Sequence, residues 1–277
     1  MAIAPTRARR PGAGAPRIEP PQQGELDGCP FCEGREGRTP PEVLALPERE
    51  PPDAPGWRVR VVPNLYPAFE RQEVVVHTRE HKRSFAELDD DEVELTAEAW
   101  RRRRAAHPDG YLHALVNEGR DAGASLAHTH SQLVWFAATP PEVARESGDL
   151  AALVGDVHQK RWGDIEVELD QDLVAFCAPA GRVPYELLIT NAYAVEEDAF
   201  ASDLARALRL LRSVVRRLQS LEGHVPWNAW LHTGRDWHIE VVPRLTVFAG
   251  IELGAGFYVN ALAPEEAAKR LREAPTG

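Results

Sequence analysis

The chain has 277 residues, 43% of them hydrophobic and 27% charged, enough apolar material for one large domain or two half-size ones, each with a core. A net charge of −11 argues against bulk electrostatic binding of nucleic acid, and no apolar run approaches the ~20 residues that cross a bilayer. Residues 1–20 lack the ~7–15-residue apolar centre of a secretory signal, and three cysteines are too few for a disulfide framework, so a cytoplasmic protein is expected.

Residues 1–56 are rich in Pro and Gly and read as irregular structure wrapping a body. The body begins with a strand at 57–62 (Trp-Arg-Val-Arg-Val-Val) and, after the turn Pro63-Asn-Leu-Tyr-Pro67, continues with a strand at 73–77. A capping box, Ser84-Phe-Ala-Glu87, opens a helix, although Asp89-Asp-Asp91 is an equally good start for the long helix running to Arg104. Strands at 111–117 and 128–136 follow. The order then recurs loosely: strands at 173–178 and 185–190, a long helix at 198–221, strands at 227–232 and 237–242. This is a pseudo-repeat of strand, strand, helix, strand, strand, in which His130-Ser-Gln132 falls against His238-Ile-Glu240. The second long helix carries Leu204, Leu208, Leu211, Val215 and Leu218 at three- and four-residue spacing, a stripe that faces a core. Cys177 lies in an apolar strand and reads as core.

Two features carry chemistry. The stretch Asn117-Glu-Gly-Arg-Asp-Ala-Gly-Ala-Ser125-Leu-Ala-His128-Thr-His130-Ser-Gln132 sets a small-residue turn, whose amides suit an anionic group, before two alternate histidines. In an extended strand His128, His130 and Gln132 share one face, which suits a nucleophile beside a phosphate. Further upstream, Cys29-Pro-Phe-Cys32 has the spacing of a metal knuckle.

Cys29-Pro-Phe-Cys32-Glu-Gly, Val62-Pro-Asn64-Leu-Tyr-Pro67, His77-Thr-Arg-Glu-His81, His128-Thr-His130-Ser-Gln132 and Trp237-His238-Ile-Glu240 occur in the order found in galactose-1-phosphate uridylyltransferases, a branch of the histidine-triad superfamily. The chain resembles that family along nearly its whole length, including Ala4-Pro-Thr-Arg7-Ala-Arg-Arg10-Pro11, similar to the family's N-terminal arginine motif. The resemblance implies an α+β fold of two fused histidine-triad-like halves, each an antiparallel sheet with a packed helix. Residues 1–145 would be the catalytic half with the zinc knuckle, and 146–277 a degenerate one.

It also implies a nucleotidyltransferase that forms a covalent histidine–nucleotide intermediate. His130 matches the nucleophile, and Gln132 the residue that hydrogen-bonds a nonbridging phosphoryl oxygen. Asn64, Asn117 and Ser125 match positions around the nucleotide phosphates, Arg7 and Arg10 the phosphate-facing arginines, which in the family can come from a neighbouring subunit. Glu252 matches the carboxylate that receives hexose hydroxyls. Cys29, Cys32, His81 and His128 would hold a structural Zn2+, with His77 as the alternative third ligand. His232, His238 and Glu240 form a second polar cluster, where family members can hold a further metal.

The expected partners are a nucleotide sugar and a sugar 1-phosphate, with no nucleic acid or membrane, in a homodimer. A UDP-glucose–hexose-1-phosphate uridylyltransferase is the leading expectation. The alternatives are an ADP-sugar or dinucleoside polyphosphate phosphorylase, and a non-catalytic nucleotide-binding zinc protein. The chain departs from the family at Ile251, Tyr258 and Glu240, and no opening strand is read before Ala4.

Overall fold

Along Tyr111–Glu118 every second residue is buried, so Leu112, Ala114, Val116 and Glu118 face one side while His113, Leu115 and Asn117 face the other. Such alternation marks a sheet covered on one face. A computed structural model describes residues 1–5, 17–20, 22–145, 150–193, 200, 204–234 and 237–276. The first half runs β1 (Ala2–Ile3), α1 (Gln23–Gly28), β2 (Leu44–Leu46), β3 (Val59–Pro63), β4 (Arg71–Val76), α2 (Asp90–Ala106), β5 (Tyr111–Glu118), β6 (His130–Phe136) and α3 (Pro141–Arg145). The second runs α4 (Leu150–His158), β7 (Glu166–Asp170), β8 (Leu173–Cys177), β9 (Leu187–Asn191), α5 (Leu204–Glu222), β10 (Trp227–His232), β11 (His238–Pro243), α6 (Gly250–Ala255), β12 (Val259–Asn260) and α7 (Pro264–Glu273).

Strands β2 to β11 form one antiparallel sheet in the order β2-β3-β4-β6-β5-β10-β11-β9-β8-β7. Outward from the centre, β5-β6-β4-β3 is mirrored by β10-β11-β9-β8. The two copies of the repeat therefore meet edge to edge where β5 pairs with β10. Register supplies the equivalences: Val76 stands opposite His130 and Val74 opposite Gln132, while Thr190 stands opposite His238 and Leu188 opposite Glu240.

Helices cover one face. α2 lies against β2, β3 and α5, and α5 against β8, β9 and α7. The α5 stripe Leu204, Leu208, Leu211, Val215 and Leu218 is no more than 1% exposed; at roughly 1.5–3 kcal/mol for each buried side chain it anchors the layer. Cys177 is in the same core, where burial pushes its thiol up. On the other face Cys29, Phe31 and Trp57 pack with Val62, Val74 and Val76, so the Cys-containing arm sits on β3 and β4.

Several local details differ from the sequence expectation. Both proposed helix starts exist: Ser84 heads a short 3-10 turn, Phe85–Glu87, with a capping box, and Asp89 caps α2 with a second box through Glu92. The strand expected at 128–136, β6, begins at His130 and not at His128. β1 pairs in parallel with β12, Ala2 against Val259, so a strand does precede Ala4; two residues are too few to show a period. Among the described residues no helix is long and apolar enough to cross a membrane.

Where the helical layer meets the β5–β10 seam, Glu118 is 4% exposed and accepts from the Phe85 N–H (2.8 Å) and from Gln219 Nε2 (3.3 Å). Burial pushes its carboxyl up from the ordinary 4.5 to about 7. Between those pH values the folded chain holds a proton that the unfolded chain has released, so stability is highest below 4.5 and falls as pH rises through 7. A change of that size corresponds to on the order of 3 kcal/mol. Glu118→Gln should therefore melt above the wild type at about pH 8 and flatten the decline of Tm with pH. An unchanged slope in thermal melts would show that another group titrates.

Candidate active site and metal centre

The turn after α1 carries Cys29 and Cys32, the turn after β4 carries His81, and His128 lies just before β6. One ligand atom from each falls within 4.8 Å of the others. Cys29 Sγ is 3.4 Å from His128 Nδ1, and Cys32 Sγ is 3.4 Å from His81 Nδ1 and 3.8 Å from His128 Nδ1. The far edges of both rings are also held: His128 Nε2 lies 2.9 Å from the Thr78 carbonyl, and His81 Nε2 lies 3.0 Å from Glu25 Oε1. A carbonyl and a carboxylate only accept, so each ring keeps its proton on Nε2 and turns a bare Nδ1 toward the thiols.

Two thiols and two neutral imidazoles are the donor set of a closed tetrahedral zinc site. Burial, reinforced by neighbouring Cys29, pushes the Cys32 thiol up, and burial holds His128 down to about 3. Burial thus disfavours both charged forms, thiolate on Cys32 and imidazolium on His128, and a dication would offset the thiolate charge. His77, the alternative ligand, is not in it; its Nδ1 lies 3.0 Å from Thr129 Oγ1 and its ring is edge-on to Phe85. Glu25→Ala should weaken metal retention about 10–100-fold in chelator competition, because His81 loses its orienting partner. Unchanged retention would mean that His81 is not a ligand.

His130 opens β6, 6% exposed, with the Phe31 ring edge-on at 5.4 Å. Its Nδ1 is 2.7 Å from the His128 carbonyl, so the proton sits on Nδ1 and the lone pair on Nε2. Burial lowers the ring's proton affinity and keeps it neutral. Gln132 shares its sheet face; Leu115 stands opposite Gln132, which puts Asn117 on that face as well. Gln132 Oε1 accepts from Gln72 Nε2 (2.6 Å), and Asn117 Oδ1 accepts from Asn228 Nδ2 (2.7 Å).

Between Asn117 and His128 the chain turns at Gly119 (φ 84°), where a Cβ would lie 3.0 Å from Ile18 and Pro226 side-chain atoms, so only glycine fits. Exposed Ser125 lies in this turn. It borders a cavity of about 860 Å3 beside the metal cluster, lined also by Arg17, Arg83 and Arg120; His130 is not among the lining residues.

Other expected site residues are held locally. Asn64 Oδ1 accepts the Tyr66 N–H (2.9 Å), rigidifying the tip of the β3–β4 turn, where Leu65 and Tyr66 are exposed. Glu252 is 6% exposed, and its Oε2 accepts the Ala249 N–H (2.9 Å) at the head of α6. Arg7 and Arg10 lie outside the described residues. His232 and His238 do approach, ring to ring, at 4.7 Å. Yet among the described residues the Cys/His cluster is the group whose ligand atoms converge, and Glu240 is ion-paired with Arg182. Burial, with the Arg182 guanidinium adding to it, holds His232 down to about 4.

Sequence reasoning missed Glu25, Phe31, Gln72 and Asn228. Phe31 lies inside the Cys-Pro-Phe-Cys motif and was within reach. Gln72 and Asn228 meet their partners only through strand register, and no local pattern marks Glu25.

No family model matches the chain. Over 98% of its length it is 26% identical to an ADP-glucose phosphorylase of Arabidopsis thaliana, 89% of which is covered. It is 27% identical to a galactose-1-phosphate uridylyltransferase of Streptomyces lividans over 74% of this chain and 62% of that protein. The crystal structure of an Arabidopsis thaliana ADP-glucose phosphorylase with bound ADP-glucose has the same fold, with a TM-score of 0.81 at 23% identity over 99% of this chain and 95% of that one.

Proposed function

We propose that this chain, which belongs to the galactose-1-phosphate uridylyltransferase family of histidine-triad enzymes, transfers a nucleoside monophosphate from a nucleotide sugar through a covalent intermediate on His130. The observation that carries this reading is the His130 Nδ1–H bond to the His128 carbonyl, which leaves Nε2 free to attack. In the first step the Nε2 lone pair forms a bond to the α-phosphorus and the bond to the sugar-phosphate oxygen breaks, releasing a sugar phosphate. Positive charge developing on the ring is taken up by the hydrogen bond to the His128 carbonyl, and Gln132 donates to the nonbridging oxygens. In the second step an acceptor phosphate oxygen attacks phosphorus and the N–P bond returns its electrons to Nε2.

Cys29, Cys32, His81 and His128 would hold zinc, which fixes the turn carrying the His128 carbonyl and leaves no open position for catalysis. In this reading residues 1–145 are the catalytic half and 146–277 the degenerate one. Asn64, Asn117 and Ser125 surround the phosphates. Arg7 and Arg10, which lie outside the described residues, are assigned to phosphate binding, where in the family such arginines can come from the neighbouring subunit of a homodimer.

The nearly full-length likeness to an ADP-glucose phosphorylase puts an ADP-sugar donor and inorganic phosphate acceptor first. Uridylyl transfer to a hexose 1-phosphate is the second reading, favoured by likeness to two uridylyltransferases over about three quarters of the chain. Incubation with ADP-glucose or UDP-glucose, labelled in the nucleotide, should leave acid-labile label on protein from the ADP sugar, discharged by phosphate as ADP. Label from UDP-glucose discharged only by a hexose 1-phosphate establishes the second reading, and no label from either removes both.

A further inference from the structure

Both carboxamides beside His130 have their oxygen end held by another side-chain amide, Gln132 by Gln72 and Asn117 by Asn228. The two ends of an amide are alike in shape, so neighbours of fixed polarity decide which end faces where. Each outer amide has such a neighbour in the backbone. The Ala68 N–H, which can only donate, meets Gln72 Oε1 at 2.9 Å; the Ala122 carbonyl, which can only accept, meets Asn228 Nδ2 at 2.7 Å. Gln72 therefore turns its NH2 group to Gln132, and Asn228 turns its NH2 group to Asn117. Each inner amide answers with its oxygen, which leaves its own NH2 group to donate.

We propose that Gln72 and Asn228 are positioning residues that lock Gln132 and Asn117 so that a phosphoryl oxygen meets N–H and never C=O. The inference rests on nucleotidyl transfer at His130. Preorganised donors are effective because they need no reorientation as negative charge grows on phosphorus oxygens, and an amide free to flip spends part of its time presenting the wrong dipole. Asn228 lies on β10, directly opposite Asn117 on β5, so the second half supplies part of the lock.

Gln72→Glu inverts the lock. One carboxylate oxygen still accepts the Ala68 N–H, but the other cannot donate, so Gln132 turns its NH2 group inward and its carbonyl toward substrate. Gln72→Leu merely removes the lock. The rate of protein-bound nucleotide formation should fall on the order of 100-fold for Gln72→Glu and about three- to tenfold for Gln72→Leu. In a Gln132→Leu background there is no amide left to invert, so Gln72→Glu should add less than about threefold. A pure charge effect or a damaged turn would persist there undiminished. Asn228→Leu, compared in the same way with Asn117→Leu, should cost about three- to tenfold.

Gln72→Glu no slower than Gln72→Leu, or an effect undiminished by Gln132→Leu, overturns the lock. If the wild type forms no protein-bound nucleotide, the transfer reading falls and the lock is judged by calorimetric binding of adenosine and uridine 5′-monophosphates. Gln72→Glu must then bind about tenfold more weakly than Gln72→Leu. Equal affinities, or no binding by any variant, overturn the lock as well.

Discussion

His130→Gly should carry no protein-bound nucleotide and lose on the order of ten-thousand-fold in turnover, the loss expected when a covalent catalyst loses its nucleophile. Neither neighbouring histidine is placed to substitute. His128 points its free Nδ1 at Cys29 and Cys32, and its other nitrogen is bonded to the Thr78 carbonyl. His77 is fully buried beneath Thr129. The fold should survive, because the lost interactions are the edge-on packing with Phe31 and the hydrogen bond to the His128 carbonyl, a change of about 2–4 kcal/mol. The check is phosphoramidate label on purified variant, with a thermal melt alongside. Label retained by a folded variant would remove His130 from the mechanism.

The second large effect concerns metal. Elemental analysis should find about one zinc per chain, and Cys29→Ser should lose it together with at least about 3 kcal/mol of stability, since binding energy at a site absent from the unfolded chain is folding energy. The loss should spread beyond the cluster. Cys29 and Phe31 are part of the small core with Trp57, Val62, Val74 and Val76, and Arg35 ties the arm down through the Cys29 carbonyl (2.9 Å). Activity should fall with metal content, because the carbonyl that accepts the His130 Nδ1–H hydrogen bond belongs to His128. Protein purified without chelators yet free of transition metal, or Cys29→Ser melting with the wild type, would refute the assignment.

Long elements were legible because their periods are unambiguous. The α5 stripe and the strands at 111–117 and 227–232 lie within a few residues of where hydrophobic spacing puts them. The repeat was readable for the same reason. What escaped notice was short or non-local: β1 and β2 have too few residues for a period, and α7 follows a loop-like Gly-rich run. At the site, the cysteines and histidines stood out because such spacing has few structural causes. Their partners did not. Glu25 reaches His81 from another element, and Gln72 reaches Gln132 from the neighbouring strand, so both needed three dimensions. The reading of Glu252 as a sugar ligand came from the family resemblance alone, and the helix start at which Glu252 accepts the Ala249 N–H is too short to show in the sequence.

The seam between β5 and β10 has a bearing on how such a gene can be trimmed. On the proposed assignment the metal ligands and the nucleophile all precede residue 146, so the downstream copy looks dispensable by inventory. Shedding it would strip the β10 neighbour from residues 114–118 of β5, uncovering a row of amide and carbonyl groups at the brink of the phosphate turn, and would remove Asn228 from Asn117. On that reading the downstream copy would serve as a splint for its sibling, because the border the two share holds β5 at the edge of the phosphate turn.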